Sequence, residues 1–234
     1  MTHDLSPPRR KIRSFVLRAG RVTIAQQRAL TEHWPHFGIA TGGDPLDLDS
    51  LFGRKAPCTL EIGFGNGEHL AARARAEPER HFLGVEVHRP GIGQLLHQAA
   101  ADHSTNLRVI AQDAVEVLQQ KIAPESLDEV QILFPDPWPK TRHHKRRLIQ
   151  ATFATLVTSR LRLGGRLLLA TDWVPYGEQM IEVLGACADL VRVVNNDVQP
   201  AARGDVAHRT PTRFERRGIR LGHPVTDLTY ERCR

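Results

Sequence analysis

Cysteine is scarce in this 234-residue chain. There are three, Cys58, Cys187 and Cys233, at spacings that form neither a CxxC nor a metal-ligand pattern. That excludes a disulfide framework and a structural zinc site and leaves three bland thiols, so no metal is expected. Long apolar runs are missing too: no stretch approaches the roughly 18 apolar residues of a membrane span. The basic segment Pro7-Pro8-Arg9-Arg10-Lys11-Ile12-Arg13 is followed by Arg18 and Arg21, not by the apolar centre of a signal peptide. A cytoplasmic location with no membrane partner is expected. Neither internal repeats nor low-complexity tracts occur. With 41% apolar and 25% charged residues, the composition excludes collagen-like and wholly disordered classes and suits one domain with a modest extension.

The charge is unevenly placed. Residues 1–28 hold seven Lys/Arg against one acid, residues 140–147 five against none, and residues 202–234 eight against four. These segments carry +15 of the overall +6, so the rest of the chain is at −9. Basic segments on an acidic body point to a polyanion bound on one side. Two of the three lie at the termini, where solvated tails would look the same. The middle one lies inside the fold.

Residues 1–57 read as a basic extension, with a short helix around Ile24 to His33 and a Gly-, Pro- and Asp-rich loop from Gly38 to Pro57. From residue 58 the pattern turns regular. Cys58 to Ile62, Phe82 to Glu86, Leu107 to Ala111, Val130 to Phe134 and Arg166 to Thr171 read as strands, separated by helix-length segments. One of these, Lys145 to Leu163, places Ile149, Phe153, Leu156 and Val157 on one face and ends at Gly164-Gly165. Another helix is expected to start near Pro175. The alternation predicts an α/β fold over residues 58–234: a doubly wound, mostly parallel, seven-stranded sheet with helices on both faces. Ligands of such sheets bind beyond the carboxyl ends of the strands, which makes those ends the places to search.

After the first of these strands, Glu61-Ile62-Gly63-Phe64-Gly65-Asn66-Gly67 sets three glycines at alternate positions, where the backbone can turn sharply and approach a ligand. The spacing departs from the G-x-G-x-x-G that cradles a dinucleotide pyrophosphate. Nineteen residues past Gly67 the next strand ends in Glu86, suited to accept from two ribose hydroxyls. The third strand ends at Asp113-Ala114, where a carboxylate can accept from an adenine amino group or cap a helix. Together these residues suggest a nucleoside cofactor without a pyrophosphate, and S-adenosylmethionine fits. Glu61 can organise its methionine end directly or through water, or it can cap local amides.

The most specific stretch follows the fourth strand: Phe134-Pro135-Asp136-Pro137-Trp138-Pro139-Lys140-Thr141-Arg142-His143-His144-Lys145-Arg146-Arg147. Three prolines in five residues make a stiff loop that can hold a carboxylate and an indole in set positions. On this loop, the glycine turn, Thr171-Asp172-Trp173, Thr212-Arg213-Phe214-Glu215 and Arg13-Ser14-Phe15-Val16-Leu17-Arg18, the chain closely resembles bacterial tRNA (guanine-N7)-methyltransferases of the S-adenosylmethionine-dependent, Rossmann-like type. The resemblance spans essentially the whole length. It implies cofactor contacts at Glu61, Glu86, Asp113 and Asp136, beside Gly63, Gly65, Gly67 and Ala114. It implies substrate contacts at Lys140, Asp172, Thr212, Arg213, Phe214 and Glu215. Arg142, His143, His144, Lys145, Arg146 and Arg147 are expected to face RNA. Arg213 stands where Lys is as common in the family, and either cation can meet a phosphate.

Asp136 is the expected catalytic residue, orienting guanine through N1–H and the 2-amino group, with Trp138 stacking on the base or walling the pocket. Asp172 can bind the base, hold Lys140 or cap the helix near Pro175. The substrate implied is tRNA at the variable-loop guanine 46, with no obligatory protein partner and either a monomer or a homodimer. Two other readings share these residues: methylation of an exocyclic amine of another RNA base, and a non-catalytic RNA-binding module retaining the fold.

Overall fold

A computed structural model describes residues 12–16, 20–193 and 224–234. The substrate residues expected at Thr212, Arg213, Phe214 and Glu215 lie outside the described residues.

Apolar runs rich in Leu, Ile and Val form the centre of one sheet. β2 (Cys58–Ile62) and β3 (His81–Val85) are buried at every position, as parallel strands covered on both faces must be. They are joined by β4 (Leu107–Ile110), β5 (Leu127–Leu133), β6 (Leu161–Thr171), β7 (Leu190–Arg192) and β8 (Thr226–Arg232). Five of them are the strands read from the sequence, and β7 and β8, which that reading did not locate, bring the number to the seven expected. A further two-residue strand, β1 (Gly38–Ile39), comes from the segment read as loop and pairs in parallel with β4 at the sheet edge. The spatial order is β1-β4-β3-β2-β5-β6-β8-β7, parallel except for β8, which runs antiparallel to both neighbours.

From β2 the chain winds outward through β3 and β4, then returns to place β5 against the other side of β2. That reversal opens a crevice at the carboxyl ends of β2 and β5.

Helices cover both faces. On one, α1 (Ile24–Glu32), α4 (Glu68–Ala76) and α5 (Arg89–Ala101) bury Ala29, Leu70, Ala71, Ile92, Leu95 and Leu96 against Phe82 and Val109. On the other, α6 (Ala114–Gln120), α7 (Ala151–Arg160) and α8 (Val174–Gly185) bury Val117, Leu118, Phe153, Val157, Tyr176 and Met180 against Leu60, Ile132 and Leu169. Local chemistry sets the starts: Thr23 and Gln26 form a capping box on α1, and Pro175 opens α8. Two short helices, α2 (Trp34–Phe37) and α3 (Leu48–Phe52), complete the amino-terminal part.

One expected helix is divided. Residues 145–163 are not continuous: Thr141–Arg146 forms a 3-10 turn, Arg147 is extended at φ −56° and ψ 135°, and α7 starts only at Ala151. At the far end Leu161 leaves the helix to pair, fully buried, with Leu127 on β5. Burial of the Arg147 and Leu161 side chains prevails over the helical periodicity between them.

Candidate active site

The glycine turn leaves β2 with Gly63, Gly65 and Gly67 all at positive φ, 74°, 58° and 75°. An L side chain adopts that conformation only at a cost of about 1–2 kcal/mol. Gly67 additionally sits where a Cβ would meet the Leu95 side chain at 2.7 Å. Around Gly63 and Gly65 the space is open, with nothing within 4 Å of where a Cβ would stand. The turn therefore presents bare backbone to the crevice.

Glu86 braces this turn. Its Oε2 accepts from the Gly65 amide at 2.9 Å, and its Oε1 accepts from the amides of Val87 and His88 at 2.6 and 3.0 Å. A carboxylate has about four acceptor sites, so these bonds leave room for one more donor. Asp113 caps α6, its Oδ1 accepting from the Val115 amide at 2.8 Å, and is half-buried beside Ala114. Glu61 behaves differently. Only 3% exposed, it meets Nδ1 of the equally buried His69 at 3.0 Å. This carboxylate at the end of β2 is therefore held by His69; the sequence offered no signal for that pairing, eight residues on.

Beyond β5 the Pro-rich loop carries Phe134 and Trp138 at φ 54° and 45°, uncommon for bulky residues and a sign of conformation imposed by surroundings. Asp136 is exposed at its tip and Asp172 half-buried at the end of β6, before α8. The two expected carboxylates therefore stand at the ends of paired strands, on the side of the sheet that holds the glycine turn. Trp138 faces the amino-terminal segment: its Nε1 donates to the Ser14 carbonyl at 3.0 Å. Arg146 stacks 3.8 Å from the Trp138 ring centroid and donates to the carbonyls of Arg13 and Phe15 at 3.1 and 2.9 Å.

The basic run is not uniform. Lys140, Arg142 and Lys145 are exposed, while His143, His144 and Arg146 are half-buried. Partial burial, then the cations of Arg142, Arg146, Lys140 and Lys145, hold the His143 pKa below its ordinary value. Arg147 corrects an expectation: it does not face outward. Only 4% exposed, it donates from Nε to the Pro137 carbonyl at 2.8 Å and from Nη1 to Gln179 at 2.5 Å. A long apolar stem and a planar fork make Arg the cation best suited to such internal bonding. Among the described residues no group of three His, Cys, Asp or Glu could hold a metal ion, and no helix is long and apolar enough to cross a membrane.

A doubly wound sheet with bare glycine backbone at its switch point and acids on the neighbouring strand ends is the architecture of Rossmann-like methyltransferases. The crystal structure of the 16S rRNA methyltransferase KamB superposes with a TM-score of 0.54 at 15% identity, covering 82% of this chain and 96% of that one. The antibiotic-resistance methyltransferase Kmr does so with a TM-score of 0.53 at 14% identity, covering 80% and 92%. The family model Methyltransf_4, described as "Putative methyltransferase", matches residues 55–228. A tRNA (guanine-N(7)-)-methyltransferase of Xanthomonas campestris pv. campestris is 53% identical over 227 residues, 96% of this chain and 85% of that protein. Its counterpart in Alkalilimnicola ehrlichii is 52% identical over 231 residues, 98% and 96% of the two chains. The chain belongs to the tRNA (guanine-N(7)-)-methyltransferase family.

Proposed function

We propose that this chain transfers the methyl group of S-adenosylmethionine to N7 of guanine in tRNA, at the variable-loop guanine 46. The observation that carries this reading is the Pro135-Asp136-Pro137-Trp138 loop at the end of β5, one strand from the glycine turn of β2, in a chain half identical to enzymes of that name. The cofactor, when bound, supplies an electrophilic methyl group on a sulfonium. The donor set fits it. Bare backbone at Gly63 and Gly65 would admit the methionine end, and Glu61, held by His69, would organise it directly or through water. Glu86 has capacity for a ribose hydroxyl, and Asp113 with Ala114 lies toward the base. None of these groups is arranged for a pyrophosphate.

Guanine N7 carries an in-plane lone pair on the Hoogsteen edge and needs no base to remove a proton before it attacks. The protein's task is positioning. Asp136 accepts from guanine N1–H and the 2-amino group and turns N7 toward the cofactor; Asp172 meets the base from the next strand end. Lys140, Arg142 and Lys145 take phosphates, with His143, His144 and Arg146 shaping the ground beneath, and Thr212, Arg213, Phe214 and Glu215 complete the substrate side. The chain works in the cytoplasm as a monomer or homodimer without an obligatory protein partner.

The test is product analysis. Purified protein is incubated with labelled S-adenosylmethionine and unmodified tRNA, and the digested RNA is read by mass spectrometry. N7-methylguanosine is expected, at position 46 when mapped, and Asp136→Asn should lower turnover about 100-fold or more, because correct orientation of a reactant is worth that much. An N2- or N6-methylated base would overturn the reading of the substrate atom. Wild-type turnover in Asp136→Asn at saturating tRNA would overturn the role of that carboxylate.

A further inference from the structure

Arg147 closes the basic run, yet the fold uses it from within. Its Nε–H donates to the Pro137 carbonyl, its Nη1 to Gln179 Oε1, and its Nη2 lies 3.1 Å from His144 Nε2. The guanidinium stands 4.9 Å from the centroid of the Tyr176 ring. Tyr176 and Gln179 are on α8, and both are tied to residue 149: the Tyr176 hydroxyl accepts from the Ile149 amide at 3.1 Å, and Gln179 Nε2 donates to the Ile149 carbonyl at 3.2 Å. One side chain thus joins three pieces: the reaction loop, the 3-10 turn and the helix that follows Asp172.

The bonded atom matters. The Pro137 carbonyl belongs to the peptide plane between Pro137 and Trp138, and φ of Trp138 is the rotation of that plane about the next bond. Trp138 is held at φ 45°, a conformation that an L residue with a large side chain leaves unless something retains it. Gripping the carbonyl retains it. Asp136 is one residue away on a backbone stiffened by Pro135 and Pro137, so the direction of its carboxylate follows the same plane.

We propose that Arg147 is a positioning residue: by pinning the Pro137–Trp138 peptide to α8, it sets the angle at which Asp136 meets the substrate base. This rests on the role of Asp136 proposed above. A fork of donors is needed, since an ammonium at the same place satisfies fewer of these acceptors in fixed directions.

The test compares Arg147→Met, which keeps the stem and removes the fork, with Arg147→Lys. In steady-state methylation of tRNA, Arg147→Met should lower kcat about 50- to 100-fold, the cost of a misplacement near 1 Å, with the KM for tRNA and the Kd for S-adenosylhomocysteine within about twofold of wild type; Arg147→Lys should recover part of kcat. Without substrate, hydrogen exchange in the peptide spanning residues 134–140 should accelerate in Arg147→Met while that of β2 and β5 is unchanged. A raised KM for tRNA at wild-type kcat would make Arg147 an RNA contact and overturn the proposal. A lowered melting temperature with wild-type kcat and wild-type exchange in 134–140 would make it a stability residue only, with the same result. If Arg147→Met fails to fold, Gln179→Leu frees one arm of the fork: a fall in kcat at constant KM supports the coupling, and wild-type kcat overturns it. The exchange measurement judges the grip on the loop even if the wild-type product is another base, so failure of this proposal and failure of the assigned reaction are separable.

Discussion

Gly91, in the first turn of α5, controls how close that helix comes to the glycine turn. A Cβ at this position would fall 2.0 Å from the Gly65 carbonyl oxygen and 2.8 Å from its carbonyl carbon. Carbon and oxygen in contact stay about 3.3 Å apart, so Gly91→Ala requires the two backbones to separate by about 1.3 Å. The helix cannot supply that movement, because Ile92, Leu95 and Leu96 are buried in the core beside it. The turn must move, and moving Gly65 pulls its amide from Glu86 Oε2.

Overpacking of this kind costs about 1–3 kcal/mol. At 1.4 kcal/mol per decade, the same strain taken up on binding weakens the cofactor about 5- to 150-fold. In unfolding it lowers Tm by about 2–12 °C for a domain of this size. The assay is titration calorimetry with S-adenosylhomocysteine alongside thermal unfolding, with Gly185→Ala as control, since nothing lies within 4 Å of a Cβ there. If Gly91→Ala binds and melts as wild type while Gly185→Ala does the same, the close approach is not rigid and the bracing assigned to the turn is wrong.

Two further outcomes follow from contacts away from the turn. Arg146→Ala removes two bonds to the carbonyls of Arg13 and Phe15 and the cation over Trp138, together worth about 1–3 kcal/mol; tryptic cleavage after Arg13 should accelerate about 5- to 150-fold, and an unchanged rate would mean that the segment is held by other contacts. Burial, then the charge of Asp128, pushes the Cys58 thiol up to about 12, and burial pushes the Tyr176 phenol up to about 12. Both groups fold in the protonated form and ionise first in the unfolded chain, so stability is lost as pH rises toward 12, from about pH 9 for Cys58 and from about pH 10 for Tyr176, at about 1.4 kcal/mol per pH unit for each group. Urea unfolding between pH 8 and 11 should show the decline, shallower in Cys58→Ala; a flat profile would refute it.

What could be read from the sequence, and what could not, divides along a physical line. Runs such as Leu60-Glu61-Ile62 and Val130 through Leu133 announce buried strands because burial on both faces demands apolar side chains along the chain itself, and the glycine turn and triple-proline loop announce themselves because backbone geometry is a property of the residues that adopt it. The inward turn of Arg147 is hidden from the sequence for the opposite reason. In a run of five cations each looks alike, and only the tertiary position of the Pro137 carbonyl and Gln179 distinguishes the one that turns inward. The same holds for Glu61, whose partner His69 is reached across a strand-to-helix turn, and for Gly91, whose neighbour Gly65 is 26 residues earlier. Gly38-Ile39 became a strand because the edge of β4 was open to it, a fact with no counterpart in two residues of sequence. Residues that would touch ligands are therefore legible when the chemistry is written in a local motif, and the residues that hold those ligand groups in place are not, because their partners come from other elements. That is why the stiff loop of Asp136 and its prolines can be read from the sequence, whereas the inward turn of Arg147 onto the Pro137 carbonyl is seen only in the fold.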